Sequence, residues 1–260
     1  MLKSIFFITS LVLLIYICPL LSQAQNNNHA FKIGEHIKYS IRYNLANMSF
    51  DMGYVDFKVD STNNENIYSF TSKGYTKEAY SWLYKVNDIY HSESYSSNMS
   101  TLYFSRETYH AGETKDNKYY YNYDKREIYS KTKIDQPQYT YDTLQYIQGV
   151  SDILSTCYII RDIDFSDCPK NKQIISKIIL DNEIFEIYAV YKGKETIKNY
   201  DNKQYHCLKF TTKPVKGTIF TGDDDITVWV TDDKNKIPIK VSAKILIGNV
   251  NAFLTSASGL

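Results

Sequence analysis

The stretch HIKYSIRYNL, residues 36–45, sets Ile37, Tyr39, Ile41, Tyr43 and Leu45 in strict alternation with His36, Lys38, Ser40, Arg42 and Asn44. Successive side chains of an extended strand point to opposite faces, so this segment has one dry face and one wet one. It is built to lie on a core as a β-strand. In the next stretch, MSFDMGYVDFKVD, apolar residues hold positions 48, 50, 52 and 54, then 55, 57 and 59. The phase flips beside Gly53. A one-residue bulge there keeps both halves on one core, and glycine tolerates the backbone it needs. Bulged strands bend, and bent strands make curved sheets.

The same short-strand rhythm continues along the chain. Asn66–Ser72 reads as a strand ended by Lys73-Gly74, and LYFSRETYH as another ended by Ala111-Gly112. Lys118–Tyr123 and Glu127–Thr132 form a hairpin about Asp124-Lys125, and Ile174–Leu180 and Ile184–Tyr191 form one about DNE. QYHCLKFTT, ITVWVT and IPIKVSAKILIG close the series. One segment has the other period: Val150, Ile153, Leu154, Cys157, Tyr158 and Arg161 follow helical spacing, with Ser151 or Asp152 as cap. Residues 76–86 fit a short helix or a strand. The fold class expected is mainly β, a single domain whose curved antiparallel sheet or open β-barrel wraps against one central helix.

Lys3, the apolar run Ile5–Leu21 and Ser22-Gln23-Ala24 have the charged, apolar, small-residue layout of an export signal, cleaved after Ala24. The competing expectation is an uncleaved anchor, since the run is near the lower limit for spanning. The domain plan is thus a signal over 1–24, a polar lead-in over 25–30 and one β domain over 31–260, with no transmembrane segment after cleavage. Without Lys3 the 30 basic residues fall to 29, matching the 29 acidic ones. A balanced chain has no general footprint for nucleic acid or an acidic lipid surface. Cys157, Cys168 and Cys207 allow at most one disulfide and match no zinc spacing. The 25 tyrosines suit half-buried strands, and their apolar faces and polar tips also suit stacking on a partner.

GEHIKYSIRY, SDILSTCYIIR and VWVTDDKNKIPIKV, in that order, resemble the DUF3108 family of exported bacterial proteins, frequent in Bacteroidetes, over roughly residues 31–254. The resemblance implies a periplasmic or secreted protein of unknown role with a curved antiparallel β architecture similar to the open barrels of lipoprotein carriers. It carries over no catalytic residue. The tyrosine-rich middle departs from the family pattern.

Candidate chemistry is sparse. Asp232-Asp233 sits in DDKNK between two alternating strands, which reads as a hairpin corner rather than a metal clamp or acid/base pair. TGDDDIT, residues 221–227, offers three carboxylates to a hard cation, but consecutive residues of an extended chain diverge and the spaced calcium-loop pattern is missing. The five histidines form no paired ligand motif. His36 falls on a wet face, and His206 projects opposite Cys207. Neither a nucleophile elbow nor a phosphate loop occurs. The expectation is a non-enzyme with no cofactor, no metal and no nucleic acid partner.

The function that fits is an exported, non-catalytic binding module in the periplasm or outer cell envelope. It would take an apolar or amphipathic ligand such as a lipid or lipoprotein acyl chain on Tyr39, Ile41, Tyr43, Phe50, Phe57, Ile153, Leu154 and Tyr158. In the competing structural reading the helix fills this space and these residues are core. The alternative functions are a cell-envelope interaction or assembly protein that meets protein or glycan through a Tyr-rich surface, and a hydrolase with a dispersed site.

Overall fold

A computed structural model describes residues 29–134, 136–213, 226–245 and 248–260. The signal, most of the polar lead-in, and the carboxylates of TGDDDIT lie outside these residues. The chain is mainly β, and its described strands join in one large open sheet of 15. The first eight are β1 (His36–Leu45), β2 (Met48–Ser61), β3 (Ile67–Thr76), β4 (Val86–Tyr95), β5 (Thr101–His110), β6 (Glu113–Asn122), β7 (Glu127–Ile134) and β8 (Thr140–Gln145). A single helical turn, α1 (Glu78–Ser81), separates β3 from β4. After β9 (Val150–Ser151) comes α2 (Ile153–Ile159), which tightens into a 3₁₀ turn over Ile160–Asp162. The remaining strands are β10 (Gln173–Leu180), β11 (Glu183–Lys198), β12 (Gln204–Thr212), β13 (Ile226–Thr231), β14 (Pro238–Lys244) and β15 (Asn249–Ser258).

Two antiparallel meanders, β1 to β8 and β10 to β15, join where β1 pairs with β15 in the middle of the sheet. The free edges are therefore β8 and the two-residue β9, whose pairing with β10 is parallel. Gln145 and Val150 are close neighbours in sequence, so these edges lie within about 18 Å of each other even on a fully extended connection. The expected bulge is present: Ile41 opposes Gly53 and Arg42 opposes Asp51, which leaves Met52 as the extra residue. A side chain at Gly53 would collide with β3, its Cβ falling 2.5 Å from the Tyr75 carbonyl oxygen. Two hairpins close on tight pairs with positive φ, Ala111-Gly112 (48° and 107°) and Asp181-Asn182 (49° and 64°). Both match the right-handed twist of their strands.

Several elements differ from the sequence reading. β3 runs through Lys73-Gly74 to Thr76, because β2 and β4 pair with it on both sides and outweigh the glycine. The helix starts at Ile153, and Val150 instead pairs with Lys177 on β10. Residues 76–86 contain both alternatives in succession, α1 and then the start of β4. β15 was not expected, since its alternation covers only Asn249 to Ala252 before Phe253-Leu254 break the phase; in the structure Val250, Asn251 and Ala252 are all buried. Along β1 the pattern holds, with Ile37, Tyr39, Ile41 and Tyr43 all buried.

Candidate functional site

α2 is buried along nearly its whole length, Ile153 to Tyr158, and packs against β3, β4 and β10. Asp152 caps it. Its Oδ1 accepts from the amides of Leu154 and Ser155, both at 2.8 Å, while Oδ2 accepts from the hydroxyls of Ser92 (2.8 Å) and Thr101 (3.0 Å). The Ser155 hydroxyl lies 2.6 Å from that of Ser92 and 2.9 Å from that of Ser94, and Thr101 lies 2.8 Å from Ser151. Burial pushes the Asp152 carboxyl above its usual range, and the donors around it only partly offset this. A buried acid with four donors is a structural anchor, because both oxygens are already engaged.

The other end of the helical segment is held by charge. Arg161 forms a two-pronged pair with Glu35 at 2.6 and 2.7 Å, both residues almost fully buried. Its remaining donors reach the carbonyls of Asn235 (2.8 Å) and Ala30 (3.0 Å). The neighbouring Asp162 accepts from the Ala30 amide at 2.7 Å and meets His29 Nδ1 at 2.5 Å, while His29 Nε2 faces the Ser96 carbonyl at 3.0 Å. The Asp162 contact raises the His29 pKa. Phe31 then meets Tyr158, Phe70 and Tyr68 edge to face at centroid distances of 5.0 to 5.5 Å.

Beside these two anchors, where the sheet edges approach, a cleft of about 510 Å³ opens. Met99, Val150, Ile159 and Ile163 supply its apolar walls. Tyr123 and Tyr146 line one side, their rings edge to face at 5.1 Å. The polar contribution has both signs, Asp162 and Asp164 with Lys177. Volume and lining fall in the range of small-molecule sites.

The eight residues expected to bind ligand occupy different ground. Tyr39, Ile41, Tyr43, Phe57, Ile153, Leu154 and Tyr158 are buried in one core cluster, and Phe50 is half-buried against it. Tyr39, Phe57, Cys157 and Tyr158 border a cavity of only about 30 Å³. That space suits a water molecule and is far below the volume of an acyl chain. The residues that do line the large cleft come mostly from turns and from the end of the helical segment. Their alternation is too short to read, although Tyr123 and Tyr146 belong to the tyrosine excess, Val150 opens the helical stripe expected from the sequence and Ile159 adjoins it.

Asp232-Asp233 is the corner of a hairpin. Asp233 Oδ1 accepts from the Thr231 hydroxyl (2.8 Å) and from the amides of Asn235 (2.9 Å) and Lys236 (3.0 Å), and Asp232 pairs with Lys194 at 2.6 Å. Pro238 opens the following strand. His206 is exposed where Cys207 is buried, and Cys157, Cys168 and Cys207 are all free thiols. Among the described residues no group of three His, Cys, Asp or Glu gathers as a metal site, and no helix is long and apolar enough to cross a membrane.

A search of curated proteins finds no match. Among solved structures, the chain is similar to the crystal structure of a beta-barrel-like protein of domain of unknown function DUF1849 from Brucella abortus. The two share 9% identity with a TM-score of 0.56, over 88% of this chain and 98% of that one. At that identity the likeness concerns the fold alone, a barrel-like antiparallel sheet. The family model for DUF3108, described as a protein of unknown function, matches residues 38–255. On that match, which spans most of its length, the chain belongs to the DUF3108 family.

Proposed function

We propose that this protein is a non-catalytic binding module that takes an amphipathic ligand, an acyl chain with a polar head, into the cleft between the sheet edges. In this reading the sheet is an open barrel wrapped against the one central helix, α2. If residues 1–24 are an export signal, the module works in the periplasm or outer cell envelope. The observation that carries the reading is the 510 Å³ cleft, with apolar walls and charges of both signs, set beside a helix fixed at both ends. A binding role is favoured over catalysis because the acidic and imidazole groups near the cleft are engaged in holding backbone: Asp152 caps α2, and His29 faces the Ser96 carbonyl with its second nitrogen.

The test is native mass spectrometry of protein purified from its own host, with lipid extraction, beside an Ile163→Trp variant that fills the cleft. A co-purifying lipid that the variant loses supports the reading. A bare wild-type protein over several preparations, or a lipid retained equally by the variant, overturns it.

A second reading, an envelope interaction protein, is favoured by one feature. Tyr103 of β5 opposes Tyr120 of β6, which opposes Tyr129 of β7, and the first two rings lie 5.0 Å apart on the outer face. Such a row offers apolar faces with polar tips to a protein or glycan.

A further inference from the structure

The outer face of the other half carries a different row. Phe253 of β15 opposes Lys240 of β14, Lys240 opposes Trp229 of β13, and Trp229 opposes Lys209 of β12. The Lys240 ammonium lies 5.4 Å from the Phe253 ring and 5.2 Å from the Trp229 ring, and Lys209 lies 5.4 Å from Trp229. On β1, Arg42 extends the row, its guanidinium 4.4 Å from Tyr200 and 5.9 Å from Phe253. From β1 to β11 the row crosses six neighbouring strands, roughly 24 Å at ordinary strand spacing.

We infer that this row of alternating cations and rings is a binding track for an acidic polysaccharide. The chain as a whole is nearly neutral, but the charge here is not. Glu195 is the acid within the row, and Lys209 at 2.9 Å and the Trp229 indole at 3.0 Å already hold it. Asp51, opposite Arg42 on β2, is taken by Lys77 at 2.6 Å. Among the described residues Arg42 and Lys240 therefore have aromatic rings rather than carboxylates as partners, and Arg42 Nε is buried without a hydrogen-bond partner. Burial holds the Lys240 ammonium below its usual range, so an arriving anion would gain a partly desolvated cation. A polymer that alternates carboxylates with the apolar faces of sugar rings has the matching chemistry. An acidic peptide matches less well. Peptides bind sheets by adding a strand at an edge, and β1, β15, β14, β13, β12 and β11 are each paired on both sides.

Trp82 and Trp229 are the two tryptophans, so a Trp82→Phe background makes emission report on the row alone. The full chain is titrated with polygalacturonate, with neutral dextran, with polyglutamate and with phosphatidylglycerol vesicles. The expected result is a saturable shift with polygalacturonate that weakens with added salt. Affinity should fall about tenfold in an Arg42→Gln/Lys240→Gln variant that keeps its near-UV circular dichroism. If the double variant loses that signature, Lys240→Gln alone carries the comparison. Absence of a shift with polygalacturonate, or undiminished binding in the folded variant, overturns the track. Equal or tighter binding of dextran, polyglutamate or vesicles overturns its assignment to acidic polysaccharide.

Discussion

On the tyrosine-rich side of the sheet, β4 and β5 meet α2 with hydroxyls: Ser92, Ser94 and Thr101 converge on Asp152 and Ser155. On the opposite side β10 meets the same helix with a strand whose Ile174, Ile178 and Ile179 are buried. Hydrogen bonds have direction and length, so the first contact fixes where the helix sits. Apolar burial has neither, so the second supplies stabilisation without dictating register. A third contact, Arg161 with Glu35, fastens the end of the helical segment to the residue just before β1 and, through Asn235, to the β13–β14 hairpin.

The largest expected effect tests whether that third contact outweighs both sides. Arg161→Leu strands Glu35 without its partner and should cost about 3–5 kcal/mol in a denaturant titration. Adding Glu35→Leu should recover much of the loss, since two apolar groups leave no buried charge. A double variant as unstable as the single one would show that packing at the site matters more than the pair.

Next comes the direct contrast between the two sides. Leu154→Ala should cost about 3 kcal/mol and keep the tertiary spectrum. Asp152→Ala should cost about 2 kcal/mol by removing the cap and leaving buried donors unpaired, while Asp152→Asn retains most of the stability because its amide oxygen still caps. A loss below about 0.5 kcal/mol for Asp152→Ala would remove the directional role from the hydroxyl side.

The smallest effect is in pH, where two carboxylates act in opposite senses. Asp152 is raised by burial, so it holds more protons folded than unfolded just above the ordinary carboxylate value, and stability falls as pH rises through that window. For Asp181 burial alone would raise the pKa, but Arg106, Lys115 and Asn117 outweigh it and hold the carboxyl low. Its contribution is present above the ordinary value and is lost as pH falls through the lowered one. Asp181→Asn should therefore flatten the acid side of the stability profile, and Asp152→Asn should lift its upper side. Parallel profiles for wild type and both variants would contradict the two assignments.

The architecture was legible where one face is wet. β1, the bulge beside Gly53 and the Asp232-Asp233 corner follow from alternation and turn chemistry alone. β15 was not legible, because Asn249, Val250, Asn251 and Ala252 alternate over only four residues before Phe253-Leu254 break the phase. The helical stripe was legible, but its residues proved to be packed core. The cleft was not, since its walls come from the β4–β5 turn, β9 and the segment after α2, which are far apart in sequence and meet only in the folded chain.

The pairing of β1 with β15 has a consequence for synthesis. Thr255 hydrogen-bonds to Lys38 across 217 residues of sequence. One side of β1 therefore stays bare until the last strand in the order is made, and the sheet is two separate pieces until then. Such a late, distant closure is slow and leaves an adhesive edge in the nascent chain. Truncation before β15 would thus harm a growing molecule more than the loss of any hairpin at the β8 margin.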